Sequence, residues 1–318
     1  MAFFDYTSFS IYLPKVTLET LPLLSQWEEP IILLSGIELD PSFLLATLCN
    51  QNPILAGRCL IEGEKPNKET AIFVIVSLLN HFNSTINPFA AWLLYTIFDK
   101  FPDYSVSFNE LLGASTPLVQ IQTKARIYKF AGRYLQQTGK WQDAGKLYVL
   151  SEELLEGNNR DGLLDCDLAM IYSEKGDLED IRNEYDIAKG WHEKAIEKIK
   201  QKQCTDIEAA EIYKRYGINL RYDEAWEDAR KIFEEALRYT EAAEIAFPER
   251  SKSIKGEILM GIGKLFLEQD KFREALHYFQ NADNLFQEIY DDYNRAQSLH
   301  KIGEAYLGLA TITDLMPN

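Results

Sequence analysis

Four histidines, four cysteines and several clustered carboxylates are the side chains here that could catalyse a reaction or hold a metal. Each such chemistry needs a particular spacing. His81, His192, His277 and His300 stand alone, with no two within five residues, so no His-x-x-x-His zinc helix exists. His277 and His300 fall in helical patterns and read as surface or packing residues. Cys49, Cys59, Cys166 and Cys204 lie far apart along the chain, which excludes a zinc knuckle and implies reduced thiols in a cytosolic compartment. The neighbours Asp291-Asp292 and Glu234-Glu235 are carboxylate pairs by sequence only, because adjacent helical residues point about 100° apart. Asp161, Asp165 and Asp167 lack the glycine and closing glutamate of a calcium loop. There is no nucleophile elbow, dinucleotide fingerprint or Gly-x-x-x-x-Gly-Lys-Ser/Thr phosphate loop. The expectation is a protein with no catalytic constellation, no metal and no cofactor.

The elements that carry these residues are helices. Among 318 residues, 46% are hydrophobic and 26% charged, while 17 Gly and 11 Pro are few enough to favour long helices over turn-rich β structure. Met1 is followed by Ala2, Phe3, Phe4 and Asp5 rather than a basic leader, so a cytoplasmic protein is expected. The most apolar stretches, Ala71–Leu79 and Phe89–Phe98, fall short of the roughly 20 residues of a membrane span and read as buried helices. In a cytosolic protein the Asn83-Ser84-Thr85 sequon has no role. The net charge of -16 disfavours nucleic acid, whose binding needs clustered Lys and Arg. That charge is uneven: residues 1–123 carry -7, residues 124–204 only -1, and residues 205–318 carry -8.

From residue 124 onward one pattern recurs. A Gly or Ala is followed by an aromatic or Leu three residues later, and by Ala or Ile after twelve. An aromatic comes four residues beyond that, then a small residue after three more. The copies read Gly132, Leu135, Ala144, Tyr148, Ser151; Ala169, Tyr172, Ile181, Tyr185, Ala188; Gly217, Leu220, Ala229, Phe233, Ala236; and Gly263, Phe266, Ala275, Phe279, Ala282. A half copy starts at Gly303 and Tyr306. Small residues let two antiparallel helices approach and bulky ones fill the space beside them, so Tyr148, Tyr185, Phe233 and Phe279 are expected in the core. Thr138-Gly139-Lys140, Lys175-Gly176-Asp177 and Glu268-Gln269-Asp270 fit the turns inside the hairpins.

This spacing resembles the tetratricopeptide repeat (TPR). The resemblance implies an all-α, right-handed α-solenoid of TPR-like hairpins over residues 121–318, about four and a half copies, behind an N-terminal helical region at 1–120. The small residues are 37, 48, 46 and 40 apart instead of about 34, which implies lengthened helices from Leu178 to Gln203 and from Trp226 to Ala246. The usual proline near a repeat end occurs once, at Pro248.

Residues 1–120 show helical patterns without the repeat, at Trp27–Gly36, Pro41–Leu48 and Asn52–Leu60. The Trp27-Glu28 start and the Asn52-Pro53-Ile54-Leu55-Ala56 run resemble the helical region that follows the ATPase core in NACHT/STAND-type signalling proteins. The resemblance implies the sensor part of such a system, without its phosphate loop. If so, Phe3, Phe4, Tyr6 and Phe9 would form an exposed apolar face. In the alternative, a stand-alone scaffold or assembly factor joining two proteins, they would be buried.

In stacked hairpins the first helices line the concave side. One stripe then gathers Arg126, Lys129 and Arg133 in the first copy, Lys214, Arg221 and Tyr222 in the third, and Lys264 in the fourth. These residues are expected to make a basic groove for a protein or peptide partner, notably an acidic segment or free carboxylate, with no nucleic acid and no membrane. The first copy lacks the Asn beside Lys of chaperone-tail clamps, which argues against that role.

Overall fold

The computed structural model describes residues 28–37, 40–64, 66–101, 117–201 and 204–315. Trp27, Phe3, Phe4, Tyr6 and Phe9 lie outside them. Among the described residues there are fourteen α-helices and no strand. They fall into two compact units, Met1–Leu154 and Leu155–Asn318.

The first unit begins with α1 (Glu28–Ile37), α2 (Ser42–Cys49), α3 (Pro53–Glu62), α4 (Lys68–Thr85) and α5 (Pro88–Lys100). Asparagine sets three of these starts. The side-chain oxygens of Asn52, Asn67 and Asn87 accept the backbone N–H of Leu55 (3.0 Å), Thr70 (2.9 Å) and Phe89 (2.9 Å). Pro53 and Pro88 follow at the first helical position, where no N–H is needed. Leu45, Leu48, Leu60, Leu78 and Phe82 are wholly buried between these helices. The apolar stretches at 71–79 and 89–98 are the cores of α4 and α5, as expected, and no helix among the described residues is long and apolar enough to cross a membrane.

The first repeat copy, α6 (Pro117–Gln137) with α7 (Trp141–Glu156), is seated on these helices. Tyr134 packs against Phe89 and Trp92 at 5.1 and 5.2 Å, and Phe130 meets Phe82 edge-on at 5.6 Å. Compactness carries the first unit on to Leu154.

The second unit stacks three hairpins and a closing helix: α8 (Asp165–Ile181) with α9 (Tyr185–Gln201), α10 (Asp206–Tyr222) with α11 (Trp226–Ala243), α12 (Pro248–Leu267) with α13 (Phe272–Glu288), and α14 (Asp292–Leu315). These hairpins and the first copy share a glycine–ring contact at a constant position. A methyl group at Gly132 would sit 2.6 Å from the Tyr148 ring, and one at Gly217 would sit 2.7 Å from the Phe233 ring. Gly263 meets Phe279 in the same way. The ring lies sixteen residues beyond its glycine each time.

That spacing corrects the second copy. Gly176, expected in a turn, lies inside α8, and its partner sixteen residues on is His192, with ring atoms 2.6 Å from where a methyl would be. The turn of this hairpin is Arg182–Glu184, so Leu178–Gln203 is not one lengthened helix. The turns confirm the register independently. The residue seven beyond each glycine is left-handed: Gly139 (φ 78°), Asn183 (62°), Glu224 (57°) and Asp270 (57°). The next N–H reaches back five residues in every case: Lys140 to Leu135, Glu184 to Glu179, Ala225 to Leu220 and Lys271 to Phe266. The glycines are thus 44, 41 and 46 residues apart. Tyr185, expected in the core, is only half-buried and stacks on Tyr222 (centroids 5.9 Å apart), and Ile181 is 41% exposed. The slip spans seven residues, nearly two turns, so the amphipathic phase hardly changed.

Three of these four left-handed positions lack glycine, which costs each about 1–2 kcal/mol. Glu224→Gly is expected to raise the unfolding free energy by about 0.5–1 kcal/mol after the gain in unfolded-state entropy is subtracted. A urea midpoint unchanged or lowered would contradict the strain at this turn.

The structure also corrects the thiol expectation. Cys166, in the first turn of α8, and Cys204, two residues before α10, form a disulfide with Cα atoms 5.5 Å apart. Thirty-eight residues separate them in sequence, and stacking the two helix starts side by side brings them together. Cys49 and Cys59 are free and buried, and burial pushes both thiols up to about 12.

Candidate interaction surface

In the second unit the first helices pack in series, α8 on α10, α10 on α12 and α12 on α14. The residues one and four beyond each packing glycine share one face of these helices. On α8 these are Asp177 and Asp180, and Glu174 lies one turn before. On α10 the face carries Glu211, Lys214, Arg215 and Arg221; on α12 Glu257, Lys264 and Glu268; on α14 Lys301 and Glu304.

The cations of α10 do not stand free. Arg215 reaches Glu174 (3.1 Å) and Asp177 (2.7 Å) on α8 and Glu211 (3.1 Å) on its own helix. Lys214 pairs with Glu211 (3.0 Å) and with Glu257 of α12. Arg221 pairs with Glu268 of α12 and lies 4.3 Å over the Tyr222 ring. Lys214, Arg215 and Arg221 are all buried. Burial opposes the charge of Lys214 and of Arg215, yet the carboxylates outweigh it at both. Lys214 is held above its ordinary value by Glu211 and Glu257, and Arg215 well above by Asp177 and Glu174. The face is a ladder of ion pairs between neighbouring helices rather than a bare basic groove.

One cation differs. Lys264 is half-buried and makes no ion pair among the described residues. Burial, then the charges of Arg221 and Lys301, hold its ammonium below the usual lysine value, with Glu268 and Glu304 opposing. Lys301 pairs with Glu304 at 2.8 Å, and the Nε2 of His300 lies 3.0 Å from the same carboxylate. Tyr222 is 46% exposed beside Arg221.

In the first unit Arg126, Lys129 and Arg133 line α6, all half-buried. Arg126 lies 5.9 Å over Phe82, while Lys129 and Arg133 lie 4.8 and 5.1 Å over Phe130. Their stems cover aromatic surface while their charges stay near solvent. The seven residues expected from sequence thus form two groups. Lys214, Arg221, Tyr222 and Lys264 share the α10–α12 face, and Arg126, Lys129 and Arg133 belong to the other unit. Sequence reading missed Arg215 and the acidic side of the ladder on α8, because the second copy was placed in the wrong register.

The chain matches no family model and no curated protein at a significant level. Among solved structures it is similar to the apo form of RapI, at TM-score 0.50 and 12% identity over 90% of this chain and 72% of that one. BtubC (BKLC) from P. vanneervenii gives 0.47 and 16% over 68% and 91%. A signal transduction ATPase with numerous domains (STAND), with a tetratricopeptide repeat sensor, from Pyrococcus horikoshii gives 0.49 and 17% over 89% of this chain. This chain spans 44% of that protein's length. At these identities the likeness concerns fold alone. The hairpins, their glycine–ring contacts and the likeness to RapI define an all-α fold of stacked, tetratricopeptide-like helical hairpins.

Proposed function

We propose that the protein is a non-enzymatic interaction module whose first-helix face binds a protein or peptide segment through a carboxylate. The observation that carries this reading is Lys264. It is a half-buried ammonium with no ion pair among the described residues, its charge disfavoured by Arg221 and Lys301, and the exposed ring of Tyr222 lies on the same face. A ligand carboxylate would relieve that unfavourable charge, and the aromatic surface would hold the adjoining apolar side chain. The ion ladder gives such a face its selectivity, since non-acidic partners meet compensated charge. The same properties disfavour nucleic acid and a membrane surface as partners.

The test is a selection of peptides from a random display library, followed by affinity measurement. Acid-rich peptides are expected to be enriched, and Lys264→Glu is expected to weaken them about tenfold or more. Peptides without acidic bias, or unchanged binding to a folded Lys264→Glu variant, would overturn the site.

The Asn52-Pro53-Ile54-Leu55-Ala56 helix favours a finer reading, in which the module is the sensor part of a NACHT/STAND-like signalling system in the cytoplasm. Partner binding would then have to favour one of two conformations by a differential free energy. A natural gene with no phosphate-loop ATPase in the same or a neighbouring frame removes that part and leaves the scaffold reading.

A further inference from the structure

The histidine that replaces a ring in the second hairpin sits in an unusual place. His192 is wholly buried, in the slot that Tyr148, Phe233 and Phe279 fill in the other hairpins. In the first hairpin the polar tip of Tyr148 donates to a neutral partner, Gln136, at 2.9 Å. The Nε2 of His192 meets two carboxylates, Asp180 Oδ2 at 3.4 Å and Asp177 Oδ1 at 3.9 Å. These three atoms all lie within 4.8 Å of one another.

The other oxygen of each carboxylate is already held. Asn219 donates its Nδ2 to Asp180 Oδ1 at 2.7 Å, and the Arg215 guanidinium forms an ion pair with Asp177 Oδ2 at 2.7 Å. Each acid is therefore oriented by a partner behind it, with its remaining oxygen turned to the imidazole. Metal-binding carboxylates are commonly fixed this way. Ligand atoms about 2.0–2.2 Å from a tetrahedral ion lie roughly 3.3–3.5 Å apart, so the 3.4 Å edge already fits and the 3.9 Å edge needs a small rotation of Asp177.

A second feature marks the same place. Asn219 is wholly buried, and its carboxamide oxygen has no partner, nor has the buried hydroxyl of Ser173, one turn before Asp177. Acidic side chains gather around the same place: Glu174, Asp177 and Glu211 surround Arg215, Lys214 pairs with Glu211 and Glu257, and Tyr216 donates to Glu193.

We propose that Asp177, Asp180 and His192 form a binding site for a divalent transition-metal ion of zinc's class. One imidazole nitrogen and two carboxylate oxygens suit zinc, cobalt(II) or nickel(II) better than calcium, which takes six or more oxygens. The fourth position opens past Asp177, whose side chain is 28% exposed. The ion would clamp α8 to α9 and balance the acidic end of the ladder.

The test uses the full chain, stripped of metal and kept oxidised. Calorimetric titration with zinc is expected to give one equivalent bound. At a hundredfold excess of free zinc over its Kd, the unfolding midpoint should rise by about 5–10 °C. His192→Phe places in the slot the ring that Phe233 and Phe279 supply elsewhere, so the fold should hold while binding is lost. Asp180→Asn keeps the shape at the neighbouring ligand. Cobalt(II) should give the visible bands of a tetrahedral nitrogen–oxygen site in the wild type and lose them in Asp180→Asn. No binding of zinc, cobalt or nickel, equal binding by either variant, or a cobalt–thiolate band from Cys49 or Cys59 would each overturn the proposal.

Discussion

Replacing Arg215 with methionine is expected to destabilise the protein by about 3–5 kcal/mol, because it strands carboxylates already taken out of water. The guanidinium is 7% exposed and touches Glu174, Asp177 and Glu211, and Glu174 itself is 1% exposed. Removing one member of such a cluster leaves buried charge uncompensated, whereas replacing both partners by apolar groups is often nearly neutral. Arg215→Met combined with Glu174→Met should therefore recover part of the loss, and a double-mutant cycle by urea unfolding measures the coupling. A single-variant loss below about 1 kcal/mol would show the ladder to be solvated.

The loss should also depend on pH. Burial raises Asp177 above its ordinary 3.8, with Arg215 and then His192 opposing that rise. Between 3.8 and the raised value the native state holds more protons than the unfolded chain, so this group's contribution to stability falls as pH rises through that window. Without Arg215 the folded value climbs further. The deficit of the variant should be largest near neutrality and shrink on acidification.

Reducing the Cys166–Cys204 bond is the second large effect expected. A closed loop of 38 residues removes enough unfolded-state entropy to stabilise by about 4 kcal/mol in the chain-entropy account. The bond pins the start of α8 beside the start of α10, whose first turn is further held by the Thr205–Glu208 capping box. Unfolding with and without reductant, and of a Cys166→Ser, Cys204→Ser double variant, should agree. Cys49 and Cys59 should not exchange into the bond while the fold persists, since they are buried and carry little thiolate. A double variant as stable as the oxidised protein would mean that the loop is ordered without the bond. If the protein works in the reducing cytoplasm, as proposed, rapid alkylation of source cells should find this pair as dithiol, and the stability measured under reductant is then the relevant one.

Much of the fold is legible in the residues themselves. Gly132 with Tyr148, Gly217 with Phe233 and Gly263 with Phe279 mark hairpins, because only a hydrogen at the small position lets the ring in. Asn52-Pro53 and Asn87-Pro88 mark helix starts, because the side chain caps the turn and the proline needs no donor. Composition and period sufficed for these, since the constraints are local or recur at a constant interval.

The second hairpin was not legible. Its ring slot holds His192 rather than Phe or Tyr, so a search for aromatics settled on Tyr185, seven residues earlier, where the helical phase is nearly the same. The turn at Asn183 carries no glycine to betray it. Three features followed from that register and stayed hidden with it: the acidic row of Glu174, Asp177 and Asp180, the burial of Arg215, and the meeting of His192 with two carboxylates. The disulfide was hidden for a related reason, since its cysteines are neighbours across stacked helices.

The sequence alone determined that this is an all-α repeat protein with a helical N-terminal region. Helix propensity, caps and hairpin packing act over a few turns and leave a periodic trace. Only the tertiary structure decided which charges of the first-helix face are spent on one another. That depends on distances between helices some forty residues apart, where a shift of two turns exchanges one set of neighbours for another.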